Sequence, residues 1–270
     1  MPKLILSRKG LDSSSGGHPS PIMTDQLISF PIPQTKGGIP YNRIRMPDAL
    51  SAKKLGTELG MQLPSSCHLD PDLQATSLKK RPDDWKPCFG QHGAALTHLM
   101  NHGVGEGDIF LFYGWFKQAD KTEGKWQFVK EAPDVHVIYG YLEVGGIISC
   151  NTDSEIPSWL SYHPHVTSKT AYGALNKVFV AADRCSLQPE RAGAGVLRFD
   201  LSRQLTSPLS KTRSLWELPD DFFDDSDHCL LSYHQKRKGK RHPSREKWRL
   251  VQNVARGQEF IVERTEKITN

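Results

Sequence analysis

The sequence lacks the features that mark secreted and membrane-spanning proteins. No segment approaches the roughly 18 consecutive apolar residues of a transmembrane helix, and the early apolar run Leu4–Leu6 is too short for the core of a signal peptide. The five cysteines are odd in number, widely spaced and free of any CxxC pair. These absences predict reduced thiols, a cytoplasmic location and no membrane partner.

Named catalytic motifs are absent as well. The first glycine-rich loop has the wrong residue order for a Walker GxxxxGK[ST] loop or a GxGxxG fingerprint, and the His98/His102 pair lacks the glutamate of an HExxH motif. The formal net charge of +5 permits a polyanionic partner without requiring one. The sequence therefore indicates a substrate class better than it indicates a reaction.

What the chain does contain is enough apolar sequence for a sizeable core. Its 270 residues can bury most of their apolar surface without disulfide support. Dense apolar runs predict strands over 108–116, 135–144 and 177–181, and helices are predicted over 48–61, capped by Asp48, and over 91–101. We predict an α+β fold with a strongly twisted or barrel-like central sheet and peripheral helices. It would form a single integrated domain with a β-rich core over about 104–200.

The opening segment resembles an anion-binding loop. A short strand, Leu4–Leu6, leads into a run of cations, hydroxyls and glycines whose backbone N–H groups can cradle phosphate. Asp12 within this loop is interpreted as a metal ligand or a general base, the alternative being a polar turn that Asp12 and Ser13 stabilise. The predicted phosphate-binding residues are Ser7, Arg8, Lys9, Gly10, Ser13, Gly16 and Gly17.

A His-x-Asp pair provides the second candidate site. On an extended segment His68 and Asp70 face the same side and can bind one divalent metal, which His163 or His165 would complete. This order is similar to that of the iron and 2-oxoglutarate dioxygenases, so iron is the expected metal. The adjacent Cys67 is a candidate nucleophile, although neighbouring strand residues face opposite ways.

Two further segments suggest contact with nucleic acid. The basic run over 234–249 follows an acidic run over 220–227 and is interpreted as a phosphate-tracking loop or as a solvated loop. The Gly-Asp turn before the aromatic strand resembles the middle of PUA-like barrels, which would hold a modified base near Trp115 and Tyr139. In soluble proteins such aromatic residues more often belong to the core.

Taken together, these motifs resemble the bacterial nucleotide modification associated domain 3 family over nearly the whole chain. The resemblance implies a role in nucleotide or DNA base modification, beside other proteins of a modification system, and it assigns no catalytic residue. The motifs are the 5–17 loop, Pro19–Ile22, Cys67–Asp72, Gly90–Gln91, Gly93–Leu99, the 107–116 strand, His163–His165 and Arg256–Phe260.

Our interpretation is an enzyme that modifies a nucleotide or a base in DNA by an oxidative or hydrolytic step. Its expected catalytic residues are Asp12, Cys67, His68 and Asp70, and its expected metal ligands are His68, Asp70, His163 and His165. The alternatives are a non-catalytic PUA-like reader of modified bases and a scaffold within a modification complex. The reader would depend on Trp115 or Tyr139, whereas the scaffold would bind neither metal nor nucleotide.

Overall fold

The computed structural model describes residues 2–34, 38–151, 156–254 and 259–262. Strands account for 39% of the residues and helices for 16%. The predicted combination of a central sheet with a few peripheral helices is therefore confirmed, with sheet as the dominant element. Three residues of the last family motif, Arg256, Gly257 and Gln258, lie outside the described residues.

Nineteen strands and α-helices are described, and several short 3₁₀ turns connect them. The first eleven are β1 (Leu4–Arg8), β2 (Ser20–Met23), β3 (Gln26–Leu27), β4 (Ile32–Gln34), β5 (Ile39–Pro40), α1 (Ala52–Glu58), β6 (Ser66–His68), β7 (Cys88–His92), α2 (Gly93–Asn101), β8 (Ile109–Thr122) and β9 (Lys125–Phe128). The others are β10 (Val135–Ser149), α3 (Pro164–Thr167), β11 (Asn176–Ala181), β12 (Ala194–Val196), β13 (Leu215–Pro219), β14 (Lys240–Arg241), β15 (Trp248–Gln252) and β16 (Glu259–Ile261).

The largest sheet is mixed and contains ten strands. Its main path runs β16-β1-β8-β10-β11-β7, and β2, β3, β9 and β12 attach beside it. Strand β1 runs parallel to β8, while the other neighbours on this path are antiparallel. The strands predicted over 108–116, 135–144 and 177–181 all belong to this sheet. Strands β1, β7 and β16 extend it beyond the predicted core over about 104–200.

The two edge strands of this sheet approach each other through side chains. Gln91 on β7 donates a hydrogen bond from Nε2 to Oε1 of Glu259 on β16, at 2.5 Å. The sheet is therefore strongly curved. Strand β10 has one register shift within its ladder with β8 and another within its ladder with β11. Within the described residues no backbone ladder joins β7 to β16, so the predicted barrel-like closure is not supported. The single-domain organisation stays a prediction.

Helix α2 covers an aromatic core on one face of the large sheet. Phe89 stacks on Phe179 with ring centroids 5.0 Å apart, and Leu96 and Leu99 of α2 belong to the same buried cluster. The helix predicted over 91–101 begins at Gly93, because Gln91 and His92 extend β7 and pair with β11. The short strand β7 therefore leads directly into α2.

Helix α1 begins later than its sequence suggested. Ser51, not Asp48, caps it, because the Ser51 hydroxyl accepts the Lys54 N–H at 3.2 Å. Asp48 lies in the preceding 3₁₀ turn with a φ of 57°, and its carboxylate accepts hydrogen bonds from Lys121 and Trp126. The expected cap residue thus joins α1 to the β8–β9 hairpin instead.

The remaining strands form two small sheets, β4-β6-β5 and β13-β15-β14. The first matters for function, because β6 ends at His68. All five cysteines are buried free thiols. Among the described residues, no helix has both the length and the apolar character needed to cross a membrane.

Candidate metal centre

The His-x-Asp pair lies where β6 meets the large sheet. His68 is the last residue of β6, and the Asp70 carboxylate reaches β7, where Oδ1 accepts the Gly90 backbone N–H at 2.8 Å. The Nε2 atom of His68 is 3.3 Å from Oδ2 of Asp70. The two side chains therefore face each other, as the spacing predicts, and the Asp70 side chain is only 5% exposed.

The distal histidines reach the same place from the start of α3. Nε2 of His165 is 3.6 Å from Oδ2 of Asp70, and Nε2 of His163 is 3.7 Å from Oδ1. Ligand atoms of His68, Asp70 and His165 all lie within 4.8 Å of one another. Two imidazoles and one carboxylate form the donor set of a facial triad for a divalent transition metal. This buried cluster could hold a metal ion.

The proton of His165 is directed away from the cluster. Asn176 donates from Nδ2 to the His165 carbonyl, so its Oδ1, 2.6 Å from His165 Nδ1, accepts a hydrogen bond from that ring nitrogen. The Nε2 lone pair therefore points toward Asp70, as in a metal-binding histidine held by an outer partner. Burial also lowers the pKa of His165 to about 3, so the ring is neutral at pH 7.

His163 is held in the opposite tautomer. Its Nδ1 accepts the His165 backbone N–H at 3.3 Å, so a neutral His163 carries its proton on Nε2. Burial alone would raise the pKa of Asp70, but the imidazoles of His163 and His68 outweigh burial and hold it well below its ordinary value. Of the two predicted distal ligands, the geometry selects His165 and gives His163 the role of an electrostatic neighbour.

Cys67 does not contribute to this cluster. It alternates with His68 along β6, is fully buried in the core around α1, and its Sγ donates to the Ile39 carbonyl at 3.2 Å. Burial raises the pKa of the Cys67 thiol to about 12, so no thiolate forms near neutral pH. The nucleophile prediction for Cys67 is therefore corrected to a core position.

The opening loop is folded around its own carboxylate. Oδ1 of Asp12 accepts hydrogen bonds from the backbone N–H groups of Ser14 and Ser15 and from the Ser14 hydroxyl, at 2.7 to 2.8 Å. Oδ2 of Asp12 lies 3.5 Å from the Arg8 guanidinium. Asp12 thus occupies the donors that a phosphate would need. The structure favours the polar-turn alternative and gives Asp12 no role in the metal cluster.

The other predicted phosphate-binding residues are divided between two sides of the sheet. Arg8, Asp12 and Ser13 line a cavity of about 330 Å³ together with Arg213, which donates to the Ser13 hydroxyl. Neither this cavity nor the 690 Å³ cavity described below includes Gly16 or Gly17, whose φ values of 94° and 71° serve the turn. The loop therefore does not form one phosphate cradle.

Ser7 and Lys9 instead surround a buried glutamate. The Ser7 hydroxyl donates to Oε1 of Glu259 at 3.1 Å, and Lys9 Nζ lies 3.3 Å from the same oxygen. Burial raises the pKa of Glu259, although the Lys9 charge acts in the opposite direction. The Lys9 ammonium group is thus already compensated, which leaves it little charge to offer a phosphate.

A larger cavity of about 690 Å³ adjoins the metal cluster, and Asp70 and Gly10 both line it. Gly10 has a φ of 83°, and a Cβ there would lie 2.7 Å from the Ser29 hydroxyl. Of the predicted phosphate-binding residues, all of which the structure describes, Gly10 is the one that lines this cavity together with Asp70. The cavity is large enough for a small organic ligand.

The basic run near the end of the chain is paired with the acidic run before it. Arg249 contacts Asp220 at 2.7 Å and Asp227 at 2.9 Å. Arg245 contacts the buried Glu217 at 2.8 Å. These ion pairs join the acidic run and β13 to the basic segment and favour the structural alternative over a phosphate-tracking loop.

The aromatic residues proposed for a base reader are not available for stacking. Tyr139 is buried in the core, and the Arg213 guanidinium covers the Trp115 ring at 3.9 Å. Trp115 also donates from Nε1 to Asp134 at 2.6 Å. With no closed barrel among the described residues, and with the Trp115 and Tyr139 rings both covered, the PUA-like reader is not supported.

Sequence reasoning missed two residues that shape the cluster. Asn176 orients His165, and Gly90 leaves room for its imidazole, because a Cβ at position 90 would overlap the His165 ring. Neither residue type signals a metal site. Gly90 was noted only within the family motif, and Asn176 had no sequence signal at all.

Comparison with known protein families gives a match that covers almost the whole chain. Residues 3–263 match the model of a family described as nucleotide modification associated domain 3. Comparisons with curated proteins and with solved structures gave no significant match. The matched range includes the whole metal cluster and both cavities.

Proposed function

Because the chain belongs to the nucleotide modification associated domain 3 family, we propose that it is a metal-dependent enzyme that modifies a nucleotide or a base within DNA. One observation carries the proposal: His68, Asp70 and His165 meet in a buried cluster, although His165 follows His68 by 97 residues. The His165 lone pair is directed toward the cluster by Asn176. Such an arrangement is unnecessary for core packing, where apolar residues would serve.

His68, Asp70 and His165 would hold the ion in the proposed site. With two imidazoles and one carboxylate, a divalent transition metal keeps open positions where it activates water for hydrolysis or dioxygen for oxidation. Iron is our first candidate for this donor set. His163 would keep Asp70 ionised, and the neighbouring cavity would receive the substrate. A cytoplasmic setting and partners within a modification system belong to the proposal.

The experiment combines metal analysis with nucleoside mass spectrometry. The wild-type protein, loaded with Fe²⁺ without oxygen, is expected to retain about one ion per chain, and DNA or nucleotide pools from cells that express it should contain a modified nucleoside. His68→Ala should lose both properties. The control is His228→Ala, since His228 lies 3.8 Å from Asp224 in an unrelated surface pair. Equal products from wild type and His68→Ala would contradict the proposal.

Asn176 is proposed as a positioning residue for His165. Replacing it by alanine removes the acceptor that orients Nδ1–H, and we expect metal affinity to fall about 10- to 100-fold, as for other outer-shell partners. Asn176→Asp keeps the acceptor for the His165 Nδ1–H but loses the donor to the His165 carbonyl, and it should weaken metal binding less than alanine does. Competition with a chelator measures both variants. Equal weakening by both substitutions would indicate a general packing defect instead.

A further inference from the structure

The 690 Å³ cavity has a composition that suits a ligand with one flat apolar part and one anionic part. Its volume lies in the range of pockets that bind small molecules. Much of its wall is apolar and comes from four separate segments of the chain. Representative wall residues are Leu27, Ile44, Leu69, Pro71, Val196 and Leu197. Asp70 connects this wall to the metal cluster.

Four residues with hydroxyl groups line the cavity, and two of them, Ser29 and Tyr139, lie close to each other. Tyr139 is 2% exposed, and its hydroxyl makes no well-formed hydrogen bond among the described residues. The Ser29 hydroxyl lies close enough to lower the pKa of Tyr139, although burial has the larger, opposite effect. Both residues line the cavity. A buried hydroxyl group without a hydrogen bond lowers stability. A polar atom of a ligand could form a hydrogen bond with the Ser29 hydroxyl beside Tyr139.

Charge at the rim of the cavity is uneven. Arg198 is paired with Asp25 at 2.8 Å, and Asp48 is paired with Lys121 at 3.1 Å. The side chain of Arg45 is exposed and makes no ion pair within the described part of the chain, while its backbone N–H is fixed to the Ser77 carbonyl at 2.9 Å. The Arg45 guanidinium therefore has no carboxylate partner among the described residues, and its backbone is held in place. A guanidinium is the side-chain group best suited to bind phosphate.

We infer that this cavity binds one nucleoside 5′-monophosphate unit. The base lies against the apolar wall with a polar edge at Ser29, and the phosphate contacts Arg45. This inference rests on the proposed function and extends it, because it identifies the binding site and two residues that recognise the substrate. The unit is either a free nucleotide or one nucleotide unstacked from a DNA strand.

Calorimetric titration of metal-free protein tests the phosphate contact. Deoxynucleoside 5′-monophosphates should bind more tightly than the corresponding nucleosides, and Arg45→Ala should weaken nucleotide binding at least about tenfold while nucleoside binding is unchanged. Arg43→Ala is the matched control, since Arg43 is exposed two residues away and does not line the cavity. Equal effects of the two substitutions, or no preference for the phosphate, would overturn the assignment.

The base contact has its own test. Ser29→Ala should weaken binding of nucleoside and nucleotide alike by about fivefold, the value of one neutral hydrogen bond. Ser149→Ala is the control, a half-buried serine on β10 outside the cavity. Tyr139→Phe, which removes only an oxygen atom, provides a second variant with little risk to folding. If neither Ser29→Ala nor Tyr139→Phe changes affinity, the base does not bind at this wall.

The source of the nucleotide is decided by titrating a single-stranded dodecamer and its duplex beside the free nucleotides. If the single strand binds more tightly than the free nucleotides, and Arg45→Ala weakens this binding, the substrate is a base within DNA. If the single strand binds equally or more weakly, the substrate is a free nucleotide. Binding that depends on Arg45 without any metal uptake would refute the proposed function and leave this inference standing. Metal uptake without nucleotide binding would refute only the inference.

Discussion

The Gly90→Ala variant is expected to fold but to lose its metal ion. Gly90 lies in β7, and its backbone N–H donates a hydrogen bond to the Asp70 carboxylate. A Cβ atom at position 90 would overlap the ring of His165. The ring stacks on Tyr172 at 4.4 Å and is hydrogen-bonded to Asn176, and it must give up this position because the methyl group and the ring cannot occupy the same space. One added methyl group should therefore displace the imidazole from the cluster.

The measurement is metal content per folded chain, together with thermal unfolding of the metal-free protein. We expect Gly90→Ala to retain less than about a tenth of the wild-type metal at an ion concentration that saturates the wild type. Gly146→Ala is the matched control, since Gly146 is also a strand glycine and has open space around its missing Cβ. A folded Gly90→Ala protein with full metal content would refute the proposed ligand set.

The second large effect is expected from Arg81→Met. The Arg81 guanidinium contacts both oxygens of Asp72 at 2.7 Å, and Asp72 is fully buried. Tyr162 donates to the same carboxylate at 2.5 Å, so this group joins the Asp70 segment to the segment that carries His163 and His165. Removing the guanidinium leaves a buried charge without its partner, which costs about 3 to 5 kcal/mol of unfolding free energy.

This loss should depend on pH in a defined direction. Burial raises the pKa of Asp72 above its ordinary value of 3.8 even beside Arg81, and without Arg81 the pKa rises further. The Asp72 carboxyl group therefore binds its proton more tightly in the folded chain than in the unfolded chain. The stability that this proton contributes is fully present below pH 3.8 and is lost as pH rises through the raised pKa. The deficit of Arg81→Met should therefore shrink as pH falls from 7 toward 4.

Urea unfolding of metal-free protein at several pH values measures this deficit. The control is Lys86→Met, which removes an exposed ion pair with Asp183 at 2.9 Å and should cost at most about 1 kcal/mol at any pH. A deficit for Arg81→Met as small as that for Lys86→Met would show that Asp72 is not stabilised by this pair. A deficit that grows at low pH would contradict the assigned direction.

The sequence predicted the parts of this molecule that depend on local pattern. The apolar runs at 108–116 and 135–144 are strands because their side chains fill a buried sheet. The His-x-Asp spacing correctly predicted that His68 and Asp70 face each other. For the strands, the periodicity of an extended chain carries the information. Asp70 lies just beyond β6, where its backbone N–H donates to the His68 carbonyl.

Features decided by individual side-chain hydrogen bonds were not predictable. His163 and His165 are equivalent by spacing, and only the hydrogen bonds to the His165 N–H and to Asn176 distinguish them. The Arg8–Gly17 loop suggested an anion site because its composition is right for one. The sequence could not show that the carboxylate of Asp12, within the loop itself, accepts the backbone N–H groups that were expected to bind phosphate.

The Gln91–Glu259 hydrogen bond bears on when the cluster forms during folding. It joins residues 168 positions apart, and the His68–Tyr172 contact beside the metal ligands spans 104 positions. Contacts of such long range are formed only after large loops have closed, a slow and entropically expensive event. Metal uptake should therefore be a late step in folding, and a bound ion would report that distant segments of the chain have come together.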